Sequence, residues 1–524
     1  MPDPGSTTTN SGAADPAALR ADPGATALIG AEQAVRLRAV PLRVEGGRLR
    51  LAMLDPADYA AADEVSVTAG MPVDPVGVRE GPLAELLRET YGTTAAAMAA
   101  RLGGADQGSD ELVANLEAIE ADDLHRMAEQ PTLINLVNLI ILEAIRERAS
   151  DVHVEPFEKK LAVKYRIDGV LIEQPSPPKH LQPAITSRIK IMGGMNIAER
   201  YAPQDGHVAL RFEGRKIDIR VSTVPTLYGE SVVMRILDKE AIRLDLAALG
   251  MREVDRAAMQ RLIDLPHGMV LVTGPTGSGK TTTLYAALTR LYDPSLKIIT
   301  IEDPVEYELP GVNQIPVNPK RGLSFASGLR SILRQDPDVV MVGEVRDIET
   351  AEIAVRAALT GHLIFSTLHT NNAVSAAGRL LDMGVEPFLL SSVLEGVLAQ
   401  RLGRRVCQHC RTPEPLTEQV RHRLAKTELE MFQGGMGWKG PGCEKCEGIG
   451  FRGRVGFFEL ILTTPPIRAA ISNRVSAQDM MRAVGRFVTM RRDGVIKAAE
   501  GVTTIDEVLR ATQDADEPIE VDAV

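Results

Sequence analysis

The chain has 524 residues, enough for three or four domains of ordinary size. Hydrophobic residues make up 44% and charged residues 25%, a balance that suits a globular protein with a large core and excludes a collagen-like or wholly disordered chain. Acidic residues outnumber basic ones 70 to 59, and the net charge of −11 speaks against nucleic acid as the partner. The opening MPDPGSTTTNSGAADP has neither a basic n-region nor an apolar core, so no signal peptide is expected. No uninterrupted apolar run reaches the ~18 residues of a membrane-spanning helix.

Residues 1–27, rich in Gly, Pro, Ser, Thr and Ala, are expected to be disordered. Residues 28–95 read as a small α/β domain, with RLRLAML (48–54) as a strand and DPADYAAADEV (55–65) as the start of a capped helix. Residues 96–128 are predicted to be a linker, on the small residues and the Gly pair that begin it. TLINLVNLIILEAI (132–145), broken by Asn135, Asn138 and Glu143, predicts a buried amphipathic helix at the start of a second α/β domain, 129–240. Its strands are LAVKYRI, KIDIRVS and SVVMRIL. Over 241–402 the apolar runs MVLVT, KIITI, DVVMV and HLIFST alternate with helical segments, which predicts a parallel sheet covered by helices on both faces. A cysteine-bearing segment, 403–458, and a helical region with a tail, 459–524, complete the chain. The fold class is therefore α/β and multidomain.

Within the third of these regions, Gly274-Pro275-Thr276-Gly277-Ser278-Gly279-Lys280-Thr281 fits G-x-x-x-x-G-K-[ST] at every fixed position, followed by Thr282. Glycines let backbone N–H groups wrap phosphates with no Cβ in the way. A lysine there brings a positive charge to the β- and γ-phosphates, and the Thr281 hydroxyl is placed to coordinate Mg²⁺. The strand MVLVT before it and the helical run TLYAALTRLY after it supply the context that such a loop needs. Two acidic elements, IEDPVE (301–306) and DVVMVGE (338–344), end strands of the same sheet, where ligands of open α/β sheets sit. A third strand, HLIFSTL, ends at His369 and Thr370.

All four cysteines fall in two pairs, Cys407-Gln408-His409-Cys410 and Cys443-Glu444-Lys445-Cys446. Two CxxC knuckles present four thiolates to one tetrahedral ion, which points to structural Zn²⁺ and leaves no open position for catalysis. His409 lies inside the first knuckle as a competing ligand.

In their order, GPTGSGKTTT, IEDPVE, VVMVGEVRD and TGHLIFSTLHTNNA resemble the Walker A, Asp-box, Walker B and His-box motifs of the secretion ATPase superfamily, the motors of type II secretion and type IV pili. The resemblance covers about 130–510, and 28–95 more weakly. It implies a RecA-like P-loop ATPase core preceded by a PAS-like domain, to which SDVHVEP (150–156) and YRIDG (165–169) are similar. It also implies a role for particular residues. Glu306 corresponds to the glutamate that orients the attacking water, Glu344 to the Walker B glutamate near Mg²⁺, and His369 to the residue near the γ-phosphate. Arg220 and Arg235 correspond to the two arginines aimed at the phosphates. ATP, Mg²⁺ and Zn²⁺ are then the expected cofactors.

The same resemblance implies a homohexamer. It would be cytoplasmic and peripheral at the inner membrane, docked through 28–95 on the cytoplasmic domain of a platform protein. Pilus retraction motors typically lack the tetracysteine segment, so the readings that stay open are a type II secretion motor and a type IV pilus extension motor. The RLGxxL-type motif with which some relatives bind cyclic-di-GMP is not complete in residues 1–100, so that ligand is not expected. A scaffold that binds nucleotide without hydrolysing it would lack carboxylates such as Glu306 and Glu344, which are present.

Overall fold

The computed structural model describes residues 21–90 (apart from 27, 30, 80, 81, 84, 85, 88 and 89), 133–238 and 245–512 (apart from 447). The expected linker, 96–128, lies outside the described residues, as do 1–20 and 513–524. The chain forms two compact units, Met1–Glu240 and Ala241–Val524.

Disorder was expected through residue 27, yet Pro23–Thr26 form one helical turn. The Asp22 N–H donates to the Leu42 carbonyl at 2.6 Å and Ala25 is buried, so the chain is tied down ahead of the point expected from composition. Strands β1 (Ala39–Glu45) and β2 (Arg48–Met53) make an antiparallel hairpin. Helix α1 (Tyr59–Ala69) then crosses over to β3 (Val73–Gly77), which lies parallel to β2. Asp58 caps α1 by accepting from the Ala61 N–H, and Gly70 ends it at φ 67°, a value that L side chains adopt only at a cost. Ala61, Ala62 and Val65 pack with Leu49, Leu51 and Met53.

Among the described residues, 133–238 form a six-stranded antiparallel sheet with two helices on it. Helix α2 (Leu133–Arg146) is buried at every position from Leu136 to Leu142, Asn138 included. There follow β4 (Asp151–Pro156), β5 (Leu161–Ile167), β6 (Val170–Gln174), α3 (Gln182–Met192), β7 (Gln204–Phe212), β8 (Arg215–Thr226) and β9 (Gly229–Asp238). The strand order is β6-β5-β4-β9-β8-β7. Ile217, Ile219 and Val221 alternate inward along β8, the period that a sheet with one covered face requires, and join Leu136, Ile185 and Ile189 in one core. Buried Tyr165 donates its hydroxyl to the Ile140 carbonyl at 2.7 Å and ties α2 to the sheet.

The second unit contains α4 (Glu253–Ile263), β10 (Gly268–Thr273), α5 (Lys280–Leu291), β11 (Ile298–Glu302), β12 (Asn313–Pro316), α6 (Phe325–Ile332), β13 (Val339–Val342), α7 (Ile348–Leu359), β14 (Leu363–Leu368), α8 (Val374–Asp382) and α9 (Pro387–Val393). It continues with β15 (Leu394–Val406), β16 (Thr412–Pro415), β17 (Met436–Lys439), β18 (Phe451–Leu462), α10 (Pro465–Ser472), α11 (Ala477–Val484), α12 (Met490–Ala499) and α13 (Ile505–Ala511). Seven strands form one sheet in the order β12-β11-β13-β14-β10-β15-β18. Met269 and Leu271 of β10 enter one core with α6, α7 and α8, while Val270 and Val272 enter another with α4 and α5. Both faces of the sheet are therefore covered, as continuous apolar strands demand. The strands of 241–402 pair in parallel as expected, and β18, from beyond that region, adds an antiparallel edge strand: it pairs with β15 from Gly396↔Leu462 to Val406↔Phe451. The cysteine segment thus leaves the sheet on β15 and returns on β18.

Candidate functional site

The parallel strands deliver four chain segments to one edge of the sheet, because each runs in the same direction and each turns where its backbone pairing ends. The glycine loop follows β10 and leads into α5. Gly274, Gly277 and Gly279 take φ of 146°, 78° and 87°. Gly274 and Gly279 have no room for a Cβ: at Gly274 it would stand 2.5 Å from the Gln400 carbonyl oxygen, and at Gly279 2.8 Å from Gln400 Nε2. Lys280 turns back over the loop and donates to the carbonyls of Gly274 at 2.8 Å and Pro275 at 3.0 Å. Burial lowers the Lys280 pKa, and the Glu344 carboxylate opposes that shift, so the carboxylate acts on the loop through space. Thr281 and Thr282 sit in the first turn of α5, whose N-terminal end carries unpaired N–H groups and partial positive charge.

Glu344 stands just past β13, next to β14 in the sheet. The turn that carries it is held by side chains of β14: Ser366 donates to the Val342 carbonyl at 2.8 Å and Thr367 to the Gly343 carbonyl at 2.7 Å. His369, the first residue after β14, brings Nε2 to 3.3 Å from Glu344 Oε2. Arg346 makes an ion pair with Glu344 and approaches Asp303 at 3.7 Å. Sequence reasoning passed over Arg346, although it stands two residues from Glu344 within VVMVGEVRD.

Glu306 lies on the loop after β11, and its backbone N–H donates to the Tyr285 hydroxyl at 3.3 Å. Tyr285, on α5, in turn donates to Glu302. Thr300 and Gln314 also donate to Glu302, Gln314 at 3.1 Å. Burial raises the pKa of Glu302, and these three donors oppose the shift. Glu302 is thus a buried acceptor that fixes the loop bearing Glu306 to the helix that follows the glycines. No sequence signal separates it from Glu306; burial does.

Arg220 and Arg235 belong to the first unit, where they are direct partners across β8 and β9. Pairing continues the row on both sides: Arg235 faces Asp151, Asp151 faces Arg166, and Arg220 faces His207. Direct partners in antiparallel strands share a face, so one face of that sheet carries Arg166, Asp151, Arg235, Arg220 and His207 in line. Arg235 Nε donates to Asp151 Oδ1 at 3.0 Å, and Arg166 Nε lies 3.5 Å from Oδ2.

The four cysteines converge between β15 and β18, with their Sγ atoms all within 4.8 Å of one another. Cys407–Cys443, Cys410–Cys446 and Cys443–Cys446 are separated by 3.8, 3.9 and 3.7 Å. A tetrahedral Zn²⁺ with Zn–S bonds of ~2.3 Å needs sulfur–sulfur edges of ~3.8 Å, so this donor set fits the ion. Burial and the three neighbouring thiols push Cys410 up to about 12. Burial also acts to raise Cys446, but N–H donors from Cys443 and Gly450, with the thiols of Cys443 and Cys407, outweigh it and bring it to about 7. Among the described residues, no other group of three or more His, Cys, Asp or Glu side chains could hold a metal ion.

The model of a family described as "Type II/IV secretion system protein" matches residues 126–510. This chain belongs to that family. A model described as "MshEN domain" matches residues 10–97. Type II secretion system protein E of Dickeya dadantii is 52% identical over 400 residues, 76% of this chain and 79% of that protein. Type II secretion system ATPase E of Vibrio cholerae is 47% identical over 414 residues, 79% of this chain and 81% of that protein. Among solved structures, the pilus retraction motor PilT with bound ADP is similar, with 28% identity and a TM-score of 0.50, over 72% of this chain and 96% of that one. This member of the secretion family is an ATPase with a mixed α/β fold built on a largely parallel sheet.

Proposed function

We propose that the chain is the motor of a type II secretion system, hydrolysing ATP to drive pseudopilus assembly and protein export. The observation that carries this reading is the glycine loop between β10 and α5, in a chain about half identical to type II secretion proteins over three quarters of its length. Relatives at 52% and 47% identity carry type II secretion names, which supports this reading over a type IV pilus extension motor. The motor works as a homohexamer at the cytoplasmic face of the inner membrane. Residues 28–95 dock there on the cytoplasmic domain of a platform protein, followed by the linker 96–128. In this reading attachment runs through that partner; no helix among the described residues is long and apolar enough to cross a membrane.

In this reading 274–282 is a P-loop in a RecA-like domain, 241–402, and the antiparallel sheet of 129–240 is PAS-like. The loop's N–H groups and Lys280 bind the β- and γ-phosphates. Thr281 and Glu344 offer a hydroxyl and a carboxylate oxygen, the hard donors that suit Mg²⁺. When bound, that ion neutralises the charge gathered on the phosphates. Glu306 orients the attacking water, His369 senses the γ-phosphate from its place beside Glu344, and Arg346 holds Glu344 in place. Arg220 and Arg235 close on the phosphates. A guanidinium placed against a γ-phosphate stabilises the charge that develops there, so in this reading nucleotide state is coupled to movement of the first unit. Cys407, Cys410, Cys443 and Cys446 hold a structural Zn²⁺.

Phosphate release from purified wild type and Glu344→Gln tests the catalytic claim. A rate in wild type that the substitution removes supports a motor. Equal, negligible rates for the two, with the hexamer and its membrane partner present, would make the protein a nucleotide-binding scaffold.

A further inference from the structure

Gln400 sits on β15, 2% exposed, beside β10. Its neighbours on the strand, Val397, Leu398 and Ala399, are buried and apolar. A side-chain amide in such surroundings is costly unless both of its polar atoms are met. Both are met by the glycine loop and its helix. Nε2 donates to the Ser278 carbonyl at 2.6 Å, and Oε1 accepts from the Thr283 hydroxyl at 2.7 Å.

The same residue crowds two of the loop's three glycines. The Cβ positions of Gly274 and Gly279 are filled by the main chain and the side chain of Gln400, whereas a Cβ on Gly277 would meet nothing within 4 Å. The two ends of the loop are therefore moulded on Gln400, and its middle is not. In a trans peptide the carbonyl and the next N–H point in opposite directions. By holding the Ser278 carbonyl, Gln400 turns the Gly279 N–H away from β15 and keeps a carbonyl oxygen from facing the phosphates.

We infer that Gln400 is a positioning residue for the phosphates of ATP, setting nucleotide affinity through the backbone of Ser278 and Gly279. The inference rests on the reading of 274–281 as the phosphate loop. Gln400 reaches the nucleotide only through this backbone, so its loss weakens binding of ADP and ATP alike and leaves the chemical step in place.

The test uses the full-length, zinc-loaded chain. ADP titration, steady-state ATP hydrolysis and thermal melting without nucleotide are measured for wild type, Gln400→Leu, Thr283→Val and Lys280→Ala. Gln400→Leu is expected to raise the Kd for ADP and the KM for ATP about tenfold, with kcat within about twofold, and to lower nucleotide-free melting modestly, because the buried Thr283 hydroxyl and Ser278 carbonyl lose their partner. Thr283→Val, which removes one of the two amide contacts, is expected to raise both by about two- to threefold. Should Gln400→Leu fail to fold, Gln400→Glu replaces it: the carboxylate keeps the acceptor for Thr283, loses the donor to Ser278, and must weaken ADP binding. ADP affinity close to wild type in the Gln400 and Thr283 variants, with binding lost in Lys280→Ala, would overturn the role of Gln400 and leave the loop reading standing. A fall in kcat at unchanged KM would overturn it too. Wild-type affinity in Lys280→Ala would bring down the loop reading and the inference with it.

Discussion

His369 Nε2 lies 3.3 Å from Glu344 Oε2, joining the tips of the adjacent parallel strands β14 and β13. Arg346 pairs with the same carboxylate, so Glu344 is held from two sides. Glu344→Gln removes the charge that both partners hold while keeping the shape. It is expected to lower kcat by about 10²- to 10³-fold, the scale of losing one preorganised electrostatic group, with ADP affinity nearly unchanged. Phosphate release and ADP titration on the same preparation check this. A parallel loss of affinity would show that Glu344 shapes the binding site rather than the reaction.

About one Zn²⁺ per protomer is expected in the purified protein, because four thiolates complete one tetrahedral site. Cys443→Ser should lower that content and expose the ends of β15 and β18 to proteolysis. Elemental analysis with limited proteolysis measures both. A folded wild-type chain without zinc would refute the assignment.

Asp493 is fully buried on α12, where Lys497 Nζ donates to it at 2.6 Å and the Phe458 N–H at 2.8 Å. Arg252 adds a third contact at 3.3 Å. Asp493→Ala leaves the buried Lys497 without its counter-charge and is expected to cost about 3–5 kcal/mol. Asp493→Asn, which still accepts from Phe458, should cost less. Urea denaturation measured on both variants distinguishes them, and equal midpoints would contradict the account of this ion pair.

Glu507 accepts from the Arg404 guanidinium at 2.7 Å and from Arg510 at 2.6 Å. Burial acts to raise its pKa, but these arginine donors outweigh burial and hold it at about 2, against an ordinary 4.5. The folded pKa is depressed, so this contribution to stability is present above about pH 4.5 and is lost as pH falls toward 2. Wild type should lose stability in that window more steeply than Glu507→Gln. Superimposable acid titrations would remove Glu507 from the account.

What could be read from the sequence was local. The glycine loop and the CxxC pairs declare themselves because their chemistry needs fixed spacing over a few residues. The strands of the parallel sheet stand out as short apolar runs. The rest depended on pairing between distant segments. That Arg220 faces Arg235, and that both lie in line with Asp151 and Arg166, follows from the register of four strands, which no local pattern states. Glu302 and Glu306 are near neighbours in the sequence, and only burial shows that the first is an internal acceptor. Gln400 is one amide in an apolar run, and its meaning comes from the loop packed against it. The antiparallel course of β18 was missed for a similar reason, since a strand's direction is set by its partner.

Replacing the chromosomal copy with Lys280→Ala and measuring exported proteins and surface pili together tests the central claim most directly. The account predicts exoproteins trapped in the periplasm with pili unchanged, because the phosphate loop can no longer hold ATP for the secretion motor. Normal export with lost pili would contradict it and make the protein a pilus motor.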